Sequence, residues 1–455
     1  MSRPAMLGYA VALLALAGFV QWVDAHDWRG DPPGIHGWPD GPRSGDEPHY
    51  SIILHSLLFD GDLDLGDDYD AASKDGYESG RFWRGRALDH HTLLFDPVTR
   101  RSVAWQRIWK SWERVPCEEP GCVPFAVQAP HGFEDLSRVV EVPAHPPAFP
   151  MLLAAAVYPF SPEPREMDDV VAQALRWIGT FTLLATFAAG LAAGLPARSA
   201  LLAAALLGLA SPWLAYTKSF FSEGTATAIA AAALAALLGG LPWLAALLAV
   251  VAMWVKPALV VLGGGFLLER AWARDWRAAA WIAGIMTAGG LALLAFNLAL
   301  AGRPLISGAN PWVPPSGLRS AWGTVFDKEH GLLPFVPWVA VAAVGLGWRA
   351  PGPASERLRL AVGIPAGLNF VLMSAYGALG GSCYGPRYWV PFLAGFALCA
   401  AAVAREGGRA VRVSLAVTAG IAAVLSISSA LVYLRVWDDS PYEGLMRIGG
   451  SLIGH

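Results

Sequence analysis

The stretch AHPPAFPMLLAAAVYPFSPEP, residues 144–164, decides how the rest of the chain is threaded. Its apolar segment, Phe149 to Phe160, falls well short of the roughly 20 residues that an α-helix needs to cross a bilayer. His145-Pro146-Pro147 halts any helix before it, and Ser161-Pro162-Glu163-Pro164 halts it after. The segment is therefore expected to lie along the membrane interface. Counted as a span, it would turn every later basic cluster to the opposite side.

Outward from that stretch, the composition points to lipid as the main solvent. Of 455 residues, 55% are hydrophobic and only 15% charged, against roughly 25% charged in soluble domains. One apolar run, Ala5 to Val23, follows Arg3; it is long for a signal peptide, has no clear small-residue cleavage site, and reads as an uncleaved first span. Most of the acids then fall in a soluble insert, residues 24–167. From 168 to 435 long Ala/Leu/Val/Gly stretches alternate with short polar breaks, and a tail follows from Val436 to 455.

The breaks give the orientation. Arg198, then Arg270 with Arg274 and Arg277, then Arg349 with Arg357 and Arg359, then Arg405 with Arg409 and Arg412 fall on alternate connections. Cytoplasmic loops are enriched in Lys and Arg, so these four groups are expected inside. The intervening breaks, at Tyr216 to Glu223, Lys256-Pro257, Arg303 to His330 and Tyr376 to Tyr388, then fall outside with the insert and the tail. The fold expected is an all-α polytopic membrane protein of about eleven spans, two of them short (241–255 and 258–269), in a bacterial inner membrane. Its N-terminus is cytoplasmic, and its large first periplasmic loop carries short juxtamembrane helices. The insert shows neither long periodic helices nor alternating strands, so short helices and loops are expected there. A net charge of −3 with scattered basic residues argues against a nucleic-acid partner.

The residue types that carry chemistry fall on the outer side. Gly45-Asp46-Glu47-Pro48-His49-Tyr50 follows the first span. A carboxylate fixed there can take a proton from an attacking hydroxyl, with a neighbouring acid to hold it, so Asp46 is the candidate base. The acidic run beyond it, with Asp62, Asp64, Asp67 and Asp68, reads either as a solvated loop or as a set of hard oxygen ligands for a cation. His145 is a candidate binding residue whose alternative is a structural turn. Lys218 and Glu223 frame an outer mouth and either pair with each other or hold a ligand. In Gly380 to Trp389, glycines permit close approach, and Arg387 offers a fork for phosphate beside Tyr384 and Tyr388. Lys256 is a second phosphate candidate, unless it snorkels to the interface. Cys117 and Cys122 stand close enough in sequence for a disulfide or remain free thiols; no further ligand pair follows to make a zinc site.

In order along the chain, these pieces resemble the GT-C superfamily of glycosyltransferases, which includes family 39, the protein O-mannosyltransferases and the lipid A aminoarabinose transferases. The likeness rests on the acidic pair Asp46-Glu47 after the first span, His145-Pro146-Pro147 at a juxtamembrane helix, Gly331-Leu332-Leu333-Pro334, and Tyr384-Gly385-Pro386-Arg387-Tyr388. It implies an inverting transfer from a polyprenyl-phosphate-linked sugar to a glycan, lipid or protein acceptor at the periplasmic surface. Asp46 would be the base, and Arg387, with Lys218 or Lys256, would stabilise the departing phosphate. A divalent metal is required by some relatives and not by others, and the sequence leaves that open. Trp105, Trp109 and Trp112 would stack on an acceptor sugar or dock on headgroups. Two rivals remain: a transporter or flippase of lipid-linked sugars, and a non-catalytic subunit of a polysaccharide assembly system. The first needs polar groups along a mid-membrane path, where Thr287 and Asn297 stand isolated.

Overall fold

The computed structural model describes residues 3–25, 47–66, 68, 90–107, 114–115, 139–160, 162–163, 166–217, 219–306, 318–348, 352–376, 385–431, 442 and 445–446. The α-helices longer than one turn, in chain order, are α1 (Arg3–Ala25), α2 (Glu47–His55), α3 (Ala148–Val157), α4 (Met167–Ala192), α5 (Ala197–Leu209), α6 (Ser222–Leu238), α7 (Pro242–Val255), α8 (Val260–Trp272), α9 (Trp276–Ala301), α10 (Leu318–Phe326), α11 (Trp338–Trp348), α12 (Pro353–Tyr376), α13 (Leu393–Glu406) and α14 (Arg409–Leu431). Between α2 and α3 run strands β1 (His90–Asp96), β2 (Arg101–Arg107), β3 (Arg114–Val115) and β4 (Val140–Pro143). The chain divides into two units: residues 1–37, 175–287 and 314–455, and residues 38–174 with 288–313.

In the first unit the helices are apolar on both their packed and their open faces. Along α1, Leu13, Leu16, Ala17, Val20 and Val23 are buried, while Met6, Leu7, Val11, Leu14 and Trp22 are exposed. A water-facing helix would carry polar residues on that second stripe, so the surrounding solvent is hydrocarbon. Among the described residues, six helices are long and apolar enough to cross a membrane. Within this unit the apolar stretch Arg387–Glu406, which ends in α13, is 78% buried by protein against 28% for that of α1, which puts α13 at the centre of the bundle. Small residues make the close contacts: a side chain at Gly190 would strike Ala200 and Leu398. Two buried hydroxyls of α4 are satisfied within their own helix, Thr182 donating to the Ile178 carbonyl (2.7 Å) and Thr186 to that of Thr182 (2.8 Å).

Arginines gather several helix ends at one end of this unit. Arg357 donates to the carbonyls of Leu238 (2.7 Å) and Ala192 (3.3 Å), Arg270 to Leu237 (3.5 Å), and Arg405 to Gly194 (3.5 Å). Each cation meets the unsatisfied carbonyls, and the negative dipole end, of a helix C-terminus. Ser355 donates to Glu406 at the same level. Basic breaks that the sequence placed on one side therefore share one end of the bundle.

The second unit differs from expectation. The expectation of helices and loops alone in the insert is corrected by a four-stranded antiparallel sheet, ordered β3-β2-β1-β4. Leu93 and Phe95 on one face pack with Val142, Ala144, Ala301 and Ile306, while Leu94 packs on the other with Val103 and Val139. A strand buried on both faces has a continuous apolar run in place of alternation. Asp96 closes the β1–β2 turn, accepting from the Val98 amide (2.8 Å) and the Thr99 hydroxyl (2.9 Å). Arg303 then ties the chain beyond α9 to the Ser102 carbonyl (3.0 Å).

The segment from Phe149 to Phe160 forms α3 and one 3-10 turn. Phe149, Leu153 and Val157 are buried, and Tyr158 and Phe160 are exposed. This is a short helix with one packed face and an open aromatic end.

Candidate functional site

In the first unit, three distant segments bring charge to one point. Glu223 stands in the first turn of α6, where the helix dipole favours a carboxylate. Lys256 separates α7 from α8 in an extended conformation (φ −147°, ψ 103°) that the following proline imposes. Arg387 opens a 3-10 helix (Arg387–Phe392) after Gly385-Pro386. Gly385 has φ 65°, and a Cβ there would lie 3.0 Å from the Phe335 ring, so only glycine fits this turn.

The side chains meet on one atom. Oε1 of Glu223 accepts from Lys256 Nζ and from Arg387 Nε. The carboxylate is wholly buried, and the Lys256 and Arg387 side chains are 13% and 12% exposed. Lys256 also lies 5.0 Å over the Tyr388 ring, and Arg387 4.8 Å over that of Phe221. Aromatic faces and a shared anion thus hold two cations that would otherwise repel. Lys256 is thus engaged by a buried carboxylate. Its partner, and that of Arg387, is the Glu223 that the sequence offered to Lys218, which lies outside the described residues, as does Tyr384.

Neighbouring polar side chains fix the 3-10 helix. The Thr227 hydroxyl donates to the carbonyls of Glu223 (2.7 Å) and Val390 (3.2 Å). Asn369 donates to the Tyr388 carbonyl (3.3 Å), and Trp389 to that of Thr324 (3.1 Å). Thr227 and Asn369 were not singled out in the sequence, where a hydroxyl or amide inside an apolar helix carries no signal of its partner.

The second unit carries the other candidates. Glu47 opens α2, and Glu47, His49 and Tyr50 are all buried. The ring of His49 lies 4.2 Å from that of His145, which stands between β4 and α3; Tyr50 makes edge contacts with His145 (5.9 Å) and Phe149 (5.1 Å). His145 therefore belongs to an aromatic cluster that joins α2 to the start of α3. Asp46, one residue before α2, lies outside the described residues, as do Cys117, Cys122, Trp109 and Trp112; Trp105 is in β2.

The acidic run resolves into separate tasks. Asp62 accepts from the Asp64 amide (3.0 Å) and the Ser56 hydroxyl (3.3 Å). Asp64 accepts from the amides of Glu141 (3.0 Å) and Gly66 (3.2 Å), while the Leu65 amide donates to the Glu141 carbonyl (2.6 Å). These bonds stitch the loop to β4, and Thr92 holds the Glu141 carboxylate (2.6 Å). Asp68 is buried and meets His55 at 2.9 Å.

By fold the chain is a largely helical protein of the membrane class. No family model, curated protein or solved structure matches it.

Proposed function

We propose that this protein is a GT-C type glycosyltransferase that moves a sugar from a polyprenyl-phosphate donor to an acceptor at the periplasmic face of a bacterial inner membrane. The observation that carries the reading is the meeting of Lys256 and Arg387 on Glu223. Two cations held in a largely buried place, one of them a planar guanidinium, suit a lipid phosphodiester. Glu223 and Leu238 are 15 residues apart on one helix, which puts the cation pair about 23 Å from the arginine-rich end. With the arginines cytoplasmic, the cations lie toward the periplasm. Eleven helices (α1, α4 to α9 and α11 to α14) then serve as spans, and α3 as the interfacial helix.

In the reaction the Asp46 carboxylate takes the acceptor's hydroxyl proton as that oxygen attacks the anomeric carbon. The bond from this carbon to the phosphate oxygen breaks, its electron pair stays on the phosphate, and the configuration inverts. Lys256 and Arg387 stabilise the charge that gathers on the leaving phosphate. Glu47 steadies the base, and Tyr388, beside the cations, serves donor binding.

Membranes holding the protein, incubated with a panel of polyprenyl-phosphate sugars, are expected to yield a glycosylated product with one donor, and Asp46→Asn is expected to lower that transfer by about 100-fold or more with the protein still folded. Transfer unchanged in the variant removes the base from the account. Absence of transfer with every donor, together with flux of labelled lipid in proteoliposomes, would establish the transporter instead.

A further inference from the structure

A separate constellation lies where α2 ends. His55 and Asp68 are both buried, with Nδ1 of the imidazole 2.9 Å from Oδ1 of the carboxylate. Asp60 completes a set in which one donor atom from each residue lies within 4.8 Å of those of the other two. We propose that His55, Asp60 and Asp68 bind a divalent transition-metal ion of the zinc or manganese class.

The chemistry of the donors selects the ion. An imidazole nitrogen with two carboxylate oxygens is a mixed set that suits zinc or manganese, whereas calcium and magnesium take oxygen alone. The alternating acids of the run invite a calcium reading, but the carboxylates of Asp62 and Asp64 are engaged by Ser56 and by the amides of Asp64, Gly66 and Glu141. Among the described acids of the run, Asp60 and Asp68 are the ones gathered with a histidine. Donors about 2.0–2.2 Å from a tetrahedral ion stand about 3.3–3.6 Å apart, so the set, whose donor atoms lie within 4.8 Å of one another, closes on an ion with side-chain shifts of up to about 1 Å.

The backbone explains how residues five apart come together. Ser56–Asp60 is a π-helical turn, ended by Gly61 at φ 81°. In such a turn the i to i+5 pattern brings residue 60 round to the side of residue 55, which an α-helical turn would not do. The Phe59 ring, 4.7 Å from that of His55, orients the imidazole, and the stitching of the loop to β4 fixes the return of the chain to Asp68. Three protein donors leave a position for water or an oxygen of a substrate, and the exposed Asp60 gives the ion a way in. This site does not rest on the glycosyltransferase reading.

The test is metal content. Purified protein is stripped with a chelator and dialysed separately against Zn2+, Mn2+, Mg2+ and Ca2+, and bound metal per chain is measured by mass spectrometry. One equivalent of Zn2+ or Mn2+ is expected, with nitrogen hyperfine coupling in the Mn2+ electron-spin-echo spectrum. Asp60→Asn, at an exposed position that leaves folding intact, is expected to weaken binding by about tenfold or more. His55→Ala is expected to abolish it, and Glu356→Gln, an exposed carboxylate elsewhere, to leave it unchanged. Substoichiometric binding of both Zn2+ and Mn2+, a preference for Ca2+ or Mg2+, or binding indifferent to Asp60→Asn would overturn the proposal.

Discussion

Glu223 accepts from two cations within the bundle, and the physics of that arrangement is asymmetric. Removing one member of a buried charged group leaves the others desolvated without compensation, at a cost of about 3–5 kcal/mol. Glu223→Gln is therefore expected to lower the thermal unfolding temperature in detergent well beyond what an exposed Glu→Gln change does. Gly385→Ala is expected to destabilise by about 1–3 kcal/mol, because a left-handed φ and the Phe335 ring both oppose a Cβ. The sequence announced Glu223, Lys256 and Arg387 one by one, since a charge bordering an apolar span is conspicuous. Their partnership was not legible, because 33 residues separate Glu223 from Lys256 and 164 separate it from Arg387.

At the scale of elements, the long apolar helices were readable because a run of about 20 such residues has few other uses. The break at Lys256-Pro257 was readable for a similar reason: proline ends α7 and forces its neighbour to extend. The sheet was hidden by its own burial. His90–Asp96 places Leu93, Leu94 and Phe95 in succession against two packed faces, Arg114–Val115 is only two residues long, and Val140–Pro143 ends at a proline. None of these gives the alternation by which a half-exposed strand is recognised. The carboxylate of Asp64 joins the acidic loop to that sheet, so Asp64→Ala is expected to destabilise by about 1–3 kcal/mol by stranding two amides. Hydrogen exchange would register it as faster exchange at Gly66 and Glu141, while amides of the bundle keep their rates.

For the whole molecule, the arginines that cap helix C-termini and the cations on Glu223 mark opposite ends of the first unit. In a background without the four natural cysteines, Lys328→Cys is expected to react with a membrane-impermeant maleimide in intact cells. Arg274→Cys is expected to react only after permeabilisation. The reverse pattern would invert the topology and remove the periplasmic reading with it.

The central proposal is that Lys256 and Arg387 hold a lipid phosphate and that Asp46 takes the acceptor's proton. The most direct measurement is the kinetics of sugar transfer by purified Arg387→Gln and Asp46→Asn proteins, each checked for folding, against the wild type. The account predicts that Arg387→Gln raises the donor KM and also lowers kcat, since the guanidinium serves both bound donor and departing phosphate. It predicts that Asp46→Asn lowers kcat by about 100-fold or more with the donor KM little changed. Wild-type rates and donor KM in both variants would contradict it.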